Sequence, residues 1–454
     1  MRDSRIRSRE RATIVQSLQA GVVPRVGLHH IQVGRVNEVK AVLGDLGMVG
    51  DGGACIRFIV GRFGSGKTFF LNLMRTLATE KKFVVVQADI TNDRRLHATG
   101  GQARTLYSEL MRNMTTKAKP QGGALPSVLQ RWISEVQHEV QQAGGDDTEV
   151  EGEIYSRLSP LQELVSGFDF AAVLVKYLKG YQTGNEELQN AAIRWLRAEI
   201  STKTEARQCL DVRSIIDDAD IYDYLKLLAQ FVHLAGYAGL LVNIDEMGVL
   251  SHRLASTQAR NSNYESILRI LNDCLQGNVS RIGFMFAGTD TFLEDRRRGL
   301  FSYEALATRL APNTFTQEGM VDYSNPVIEL DNLKPEDLFV LLMNIRSVFA
   351  SGDPGKYLVP DEALEAFMQY CQQKLGSSYF RTPRDTVKNF VGLLSILEQY
   401  PERKWQDLIG EVPASSASHQ SQDAADHSSP SKGNNTSGDT EERDAELITF
   451  KLKR

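Results

Sequence analysis

The segment Gly61–Thr68 reads GRFGSGKT and fits the pattern G-x-x-x-x-G-K-[ST] at every position. It constrains the fold more than any other feature, because such a loop works only between a buried strand and a helix. An apolar run, Ile56–Val60, precedes it, and a stretch with helical periodicity, Phe69–Ala78 (FFLNLMRTLA), follows it. Gly61, Gly64 and Gly66 allow backbone angles and close approaches that a β-carbon blocks. The N–H groups left exposed, together with the helix N-terminus, present positive potential to phosphate oxygens. The expectation is a loop of Gly61, Arg62, Phe63, Gly64, Ser65, Gly66, Lys67, Thr68 and Phe69 that cradles ATP. Lys67 reaches the β- and γ-phosphates, and the Thr68 hydroxyl ligates Mg²⁺.

Three more apolar runs, Phe83–Ala88, Leu240–Ile244 and Ile282–Ala287, lack polar alternation, as strands covered on both faces do. With helical stretches between them, such as Tyr264–Leu275, they predict an α/β fold with a parallel sheet and right-handed crossovers. The third run ends in Asp245 and Glu246 (LLVNIDE). Acids at a strand end are a weak signal alone; beside a phosphate loop they are a strong one. Asp245 then holds the metal, and Glu246 polarises the attacking water, which makes the chain a candidate Mg²⁺-dependent ATPase. The fourth run leads into Gly288-Thr289-Asp290, where Thr289 either senses the γ-phosphate or caps a turn. Arg309 is a candidate for stabilising charge on a neighbouring subunit's nucleotide, whereas Arg296–Arg298 reads as a solvated loop face. Phe380–Arg384 (FRTPR) opens a helix whose Pro383 suits the first turn; Arg384 either reaches back to the nucleotide or is plain surface. Upstream of the first strand, VPRVGLHHIQVGR stands where a wall for adenine is expected, and His29 and His30 read as packing or surface residues.

About 150 residues separate the second and third strands, far more than one crossover needs. With breaks at 120–126 and 143–147 and helical spacing in Phe170–Tyr181 and Glu186–Ile200, this stretch reads as a helical insertion. The expected division is 1–115 and 226–330 for the two halves of the core and 116–225 for the insertion. Residues 331–410 form a small helical or winged-helix-like domain, 411–446 a linker and 447–454 a tail. A short strand, Val327–Leu330, precedes helical segments at Pro335–Phe349, Pro360–Leu375 and Thr382–Gln399. The linker is Ser-, Asp- and Gly-rich with net charge −6, too polar to offset its ordering entropy. The apolar LITFKL that follows either adds a strand or frays.

Net charge over the whole chain is −5, and with the acidic linker and the +3 tail removed the body stands at −2. That gives no global signal for nucleic acid, and Lys374, Arg381, Arg384 and Lys388 make only a modest basic cluster. No run approaches the ~20 apolar residues of a membrane span. The four cysteines show no CxxC pair, which points to buried thiols in a reducing cytoplasm rather than to zinc or disulfides.

The order Gly61–Thr68, Asp245-Glu246, Thr289, Arg309, Arg384 resembles the AAA+ class of P-loop (ASCE-type) ATPases, in its initiator-like and signalling branches. More narrowly, the chain is similar to the BREX-system ATP-binding protein family (BrxD-like) of bacterial phage-defence islands. The likeness runs from about residue 5 to 405. It rests on SRERATIVQSLQAGVVPRVGLHHIQVGR, FIVGRFGSGKTFFLNLM, AAIRWLRAEISTKTEARQCLDV, GLLVNIDEM, RIGFMFAGTD and FRTPRD. The insertion segment is the discriminating part, since a generic P-loop ATPase lacks it. The resemblance implies ATP binding and hydrolysis inside a multi-gene defence system that includes a helicase and a methyltransferase. Duplex DNA and a second copy of the chain are further candidate partners.

Overall fold

Five parallel strands form the sheet: β1 (Ala54–Val60), β2 (Val84–Asp89), β3 (Leu240–Asp245), β4 (Ile282–Gly288) and β5 (Val327–Glu329). Their order across the sheet is β2-β3-β4-β1-β5. This is a mixed α/β architecture compatible with a P-loop NTPase. The computed structural model describes residues 6–163, 167–317, 320–379 and 382–410. The segments 411–446 and 447–454, with Phe380, Arg381 and the Lys374 side chain, lie outside the described residues.

The strands read as unbroken apolar runs because both faces are covered. Ile56, Phe58 and Val60 of β1 share one core with Val84 and Val86, Leu240 and Val242, and Phe284 and Phe286. Their neighbours Cys55, Ile59, Val85, Leu241 and Met285 face the opposite way into a second core. Each such side chain contributes roughly 1.5–3 kcal/mol when fully buried, so a register slip would expose an entire face.

Among the described residues three helices precede the first strand: α1 (Ser8–Gln19), α2 (Leu28–Ile31) and α3 (Val36–Gly50). Helix α3 and α4 (Lys67–Glu80) cover the second face, supplying Val42, Leu46, Phe70, Leu71 and Met74. Arg57, buried on β1, donates to both carboxylate oxygens of Asp45 on α3, at 2.6 and 2.9 Å, and so pays for its burial.

On the first face lie α5 (Gln102–Arg112) and the insertion helices α6 (Leu125–Gln142), α7 (Asp147–Arg157), α8 (Gly167–Thr183), α9 (Glu186–Leu196) and α10 (Lys203–Leu210). Then come α11 (Ile221–Leu234), α12 (Gly248–His252) and α13 (Thr257–Gln276). The insertion's apolar residues are continuous with the sheet core: Trp132 packs edge-on against Phe231 at 5.4 Å, and Trp195 against Tyr224 at 5.9 Å. The helix expected over Glu186–Ile200 stops at Leu196, because Ala198 sits at φ 56.

After β4 come α14 (Asp290–Glu294) and α15 (Glu304–Leu310), and after β5 come α16 (Pro335–Phe349), α17 (Asp361–Tyr379), α18 (Pro383–Gln399) and α19 (Trp405–Gly410). The described residues of 331–410 contain helices and a short 3₁₀ turn and no strand. The N-terminal helix belongs with these elements. Ile14 of α1 joins Leu342, Phe390 and Leu394 in a third core, and Arg11 pairs with Glu398 at 2.7 Å. Three of the cysteines are buried as expected, but Cys209 on α10 is exposed, since the polar face of that helix carries it.

Candidate functional site

The register brings the C-terminal ends of the strands to one edge, with Val60 beside Gly288 and Asp89 beside Asp245. A cavity of about 410 Å³ opens there. Its floor is the loop stretch Phe63–Gly66, its polar side is Asp89, Asp245, Glu246 and Thr289, and its far wall combines residues of the N-terminal segment with the C-terminal helices.

The loop is shaped to leave room. A β-carbon on Gly61 would stand 2.6 Å from the Leu330 carbonyl oxygen, and one on Gly64, at φ 80, would stand 2.7 Å from Thr382. Gly66, at φ 97, forms the N-cap of α4, so the first N–H groups of that helix point into the cleft. The Lys67 ammonium donates to the carbonyls of Gly61 (2.8 Å) and Arg62 (2.9 Å), which arches the side chain over the loop. Burial lowers its pKa, opposed by Asp245, Glu246 and Asp290. Ser65 Oγ is buried with no hydrogen-bond partner, an orphaned donor in the loop itself. Cradle, cation and orphaned hydroxyl together fit a polyphosphate.

At the end of the loop, the Thr68 hydroxyl donates across the cleft to Asp245 Oδ2 at 2.6 Å. Asp245 is buried, and its other oxygen, Oδ1, accepts from the Glu246 N–H at 2.8 Å. A hydroxyl and a carboxylate in contact are a hard-oxygen donor set suited to Mg²⁺. Glu246 adopts φ 56, a left-handed conformation that costs a non-glycine residue about 1–2 kcal/mol. Such strain at a cleft is often tied to function. Partial burial raises its carboxyl pKa, with Asp245 and Asp89 adding to the shift and Lys67 and Arg253 opposing it.

Asp89 is the residue that the sequence reading missed. It ends β2 (VVVQAD) as Asp245 ends β3, and the two pair in register. Burial raises its pKa first, then Asp245; Arg94 and Arg25 pull the other way. The signal is present in the sequence: Asp89 follows the apolar run Phe83–Ala88 directly.

Thr289 lines the cavity and also caps α14, its hydroxyl accepting from the Phe292 N–H at 3.3 Å. Arg384 also lines the cavity, with its guanidinium 5.6 Å from the centre of the Phe63 ring. Phe63 itself is 68% exposed. Phe69 lines the cavity beside Thr68, and Arg62 is exposed beside it. Arg309 stands apart from these residues, exposed on α15 and donating to the Ala305 carbonyl at 2.9 Å. Arg296 and Arg297 are exposed, but Arg298 is not a solvated face, for it donates to the carbonyls of Ser251 and Leu254, each at 2.9 Å.

From the segment where a wall for adenine is expected, Val23, Pro24, Ile31 and Val33 line the cavity, as do Val22, Leu341, Ile345 and Val387. His29 and His30 lie beside this wall, with His30 Nε2 3.6 Å from Glu10 Oε1. Among the described residues no helix is long and apolar enough to cross a membrane.

The family model described as BREX system ATP-binding protein BrxC/D matches residues 6–413. A comparison with curated proteins found no match.

Proposed function

Because the chain belongs to the family of BREX system ATP-binding proteins BrxC/D, we propose that it is an Mg²⁺-dependent ATPase of AAA+ type acting within that defence system. The observation that carries this reading is the contact of Thr68 Oγ1 with Asp245 Oδ2 at 2.6 Å, opposite Lys67 in a single cleft. The sheet order, with β4 standing between the loop strand and the acid strand, supports the AAA+ assignment.

In this reading the N–H groups of the loop and the Lys67 ammonium bind the β- and γ-phosphates, while Thr68 and Asp245 hold the metal. Mg²⁺ bound there would supply charge neutralisation on the phosphates. Glu246 accepts a proton from the attacking water, and Thr289 orients that water. The base rests between the N-terminal wall and α16–α18. Nucleotide therefore bridges three parts of the fold, and Arg384 couples its phosphates to the C-terminal helices. Arg309 lies outside the cavity and acts on a neighbouring copy's nucleotide. Other components of the defence system, a helicase or methyltransferase among them, are the partners to which this motion is passed.

The test is Glu246→Gln. Phosphate release falls by about 10²-fold or more while ATP affinity is kept; unchanged turnover would refute the assignment. Turnover that rises with protein concentration, and loses that rise in Arg309→Ala, supports completion in trans.

A second reading, a nucleotide-gated switch with incidental turnover, is favoured by the shared wall of the cavity. If Glu246→Gln keeps full phage defence while Lys67→Ala abolishes it, the switch reading prevails. A DNA-binding adaptor finds less support, because Lys388 and Arg384 pack beside Gly21 at the cavity wall, where a β-carbon would lie 3.3 Å from Arg384 Nε.

A further inference from the structure

The strand that carries Asp245 is apolar except at one place. Asn243, two residues before the aspartate, is fully buried on the face of the sheet that α4 covers. Its amide nitrogen reaches the Leu71 carbonyl at only 3.4 Å, and its Oδ1 has no hydrogen-bond partner. Gln87 pairs with Asn243 in register across β2 and β3, and its Oε1 is likewise buried without a partner. The Gln87 amide nitrogen lies 3.4 Å from Asn72 Oδ1 on α4. An unsatisfied buried acceptor costs about 1–3 kcal/mol, and this layer holds two. Fold stability alone would place Val or Leu at these positions.

The layer has a specific address. Asn72 follows Thr68 by one helical turn, Gln87 precedes Asp89 by two residues on the same face of β2, and Asn243 precedes Asp245 likewise on β3. Each amide thus lies one step beneath a side chain that lines the cleft, Thr68, Asp89 or Asp245. Polar groups bend the rule of consistent packing at functional sites more than elsewhere.

We infer that Asn72, Gln87 and Asn243 form a buried amide layer of positioning residues that holds α4 in register against β2 and β3, so that the Thr68 hydroxyl meets the Asp245 carboxylate. The inference rests on the nucleotide-site reading above and adds the residues that act through the metal-holding pair. Apolar packing alone tolerates small slides of a helix over a sheet, whereas amide contacts at fixed atoms resist them.

Asn243→Val and Gln87→Leu in the full chain test this by two readouts: thermal unfolding, and the ratio of affinities for a non-hydrolysable ATP analogue with and without Mg²⁺. Asn243→Val should be at least as stable as the parent, since it removes an unsatisfied acceptor. Gln87→Leu should stay close to the parent, since it removes one but takes the Gln87 donor from Asn72 Oδ1. Yet the Mg²⁺-dependent gain in affinity of both should fall about tenfold, the usual size of an outer-shell effect. Gln87→Glu and Asn243→Ser, which keep a polar atom, should recover part of it. A parental Mg²⁺ ratio in both folded apolar variants overturns the inference. So does a loss of stability in step with the loss of binding, which would make the amides ordinary core. If the parent protein itself shows no Mg²⁺ dependence, the metal-site reading falls and takes this inference with it; if parent and variants show the same dependence, the inference falls alone.

Discussion

Thr68 and Asp245 stand 177 residues apart in sequence, and their oxygens meet at 2.6 Å. The contact closes the cleft between the N-terminus of α4 and the end of β3, two elements that β2, α5 and the helical insertion separate in the chain. Since hydroxyl and carboxylate are already together, a metal arriving there needs little reorganisation of the protein, and affinity should depend on both partners.

Removing either oxygen should therefore abolish the metal effect and leave the rest. Thr68→Val, which keeps the branched shape, and Asp245→Asn should each lose about tenfold or more of the Mg²⁺-dependent affinity for an ATP analogue, with metal-free affinity little changed. Lys67→Ala should differ in kind. It removes a charge-assisted donor worth about 1.5–3 kcal/mol, so affinity drops about 10- to 100-fold with or without Mg²⁺. Calorimetric titration in both conditions separates the two patterns.

Gly64 is where the phosphate loop touches the C-terminal helices. At φ 80, with Thr382 only 2.7 Å from where its β-carbon would stand, Gly64→Ala pays a backbone cost of about 1–2 kcal/mol and pushes the start of α18 off the loop. Melting temperature and nucleotide affinity should both fall. In Gly64→Ala/Thr382→Gly the clash is relieved but the backbone strain is not, so the double variant should melt above the sum of the two single effects. Strict additivity would mean that loop and helix do not press on each other.

How much of this was legible in the sequence depended on where the physics is local. The ends of four strands were readable to within two residues, because each apolar run stops at a turn or an acid, as Leu240–Asp245 does before Glu246. Helix α13 was read from Tyr264 but starts at Thr257, since its first turns are polar. Buried Arg260 and Asn263 stabilise them through hydrogen bonds to the Leu254 and His97 carbonyls, and apolar periodicity does not register such residues. The loop residues, Asp245, Glu246, Thr289 and Arg384 were legible as types and order. Asp89 was not, and neither was the packing of α1 on α16 and α18, because contacts between residues such as Arg11 and Glu398 leave no periodic trace.

The three carboxylates of the cleft make a pH prediction with a definite sign. Glu246 and Asp89 have pKa values raised above their ordinary 4.5 and 3.8. A carboxyl raised on folding binds its proton more tightly in the native state, so its ionisation costs stability once the pH passes above the unfolded value. Asp89→Asn should therefore raise the melting temperature at pH 7, and the gain should vanish as the pH falls toward 4. The same substitution removes a negative neighbour of Glu246. If Glu246 is the base, the acid limb of the turnover profile should move to lower pH, a shift that a pH–rate series on the two proteins would read directly.

The thiols give a check on the core that needs no substrate. Burial pushes the Cys274 and Cys371 thiols up to about 12, and that of Cys55 upward as well, so at pH 8 none of them offers an appreciable thiolate. Cys209 is exposed on the insertion helix α10. Brief iodoacetamide treatment of the native protein should therefore alkylate Cys209 alone, whereas denaturant should expose all four cysteines. Peptide mapping distinguishes the outcomes. Early labelling of Cys55 would mean that the sheet face beneath α3 opens readily. That would contradict a core in which Val49, Ile59 and Leu241 are completely buried around Cys55.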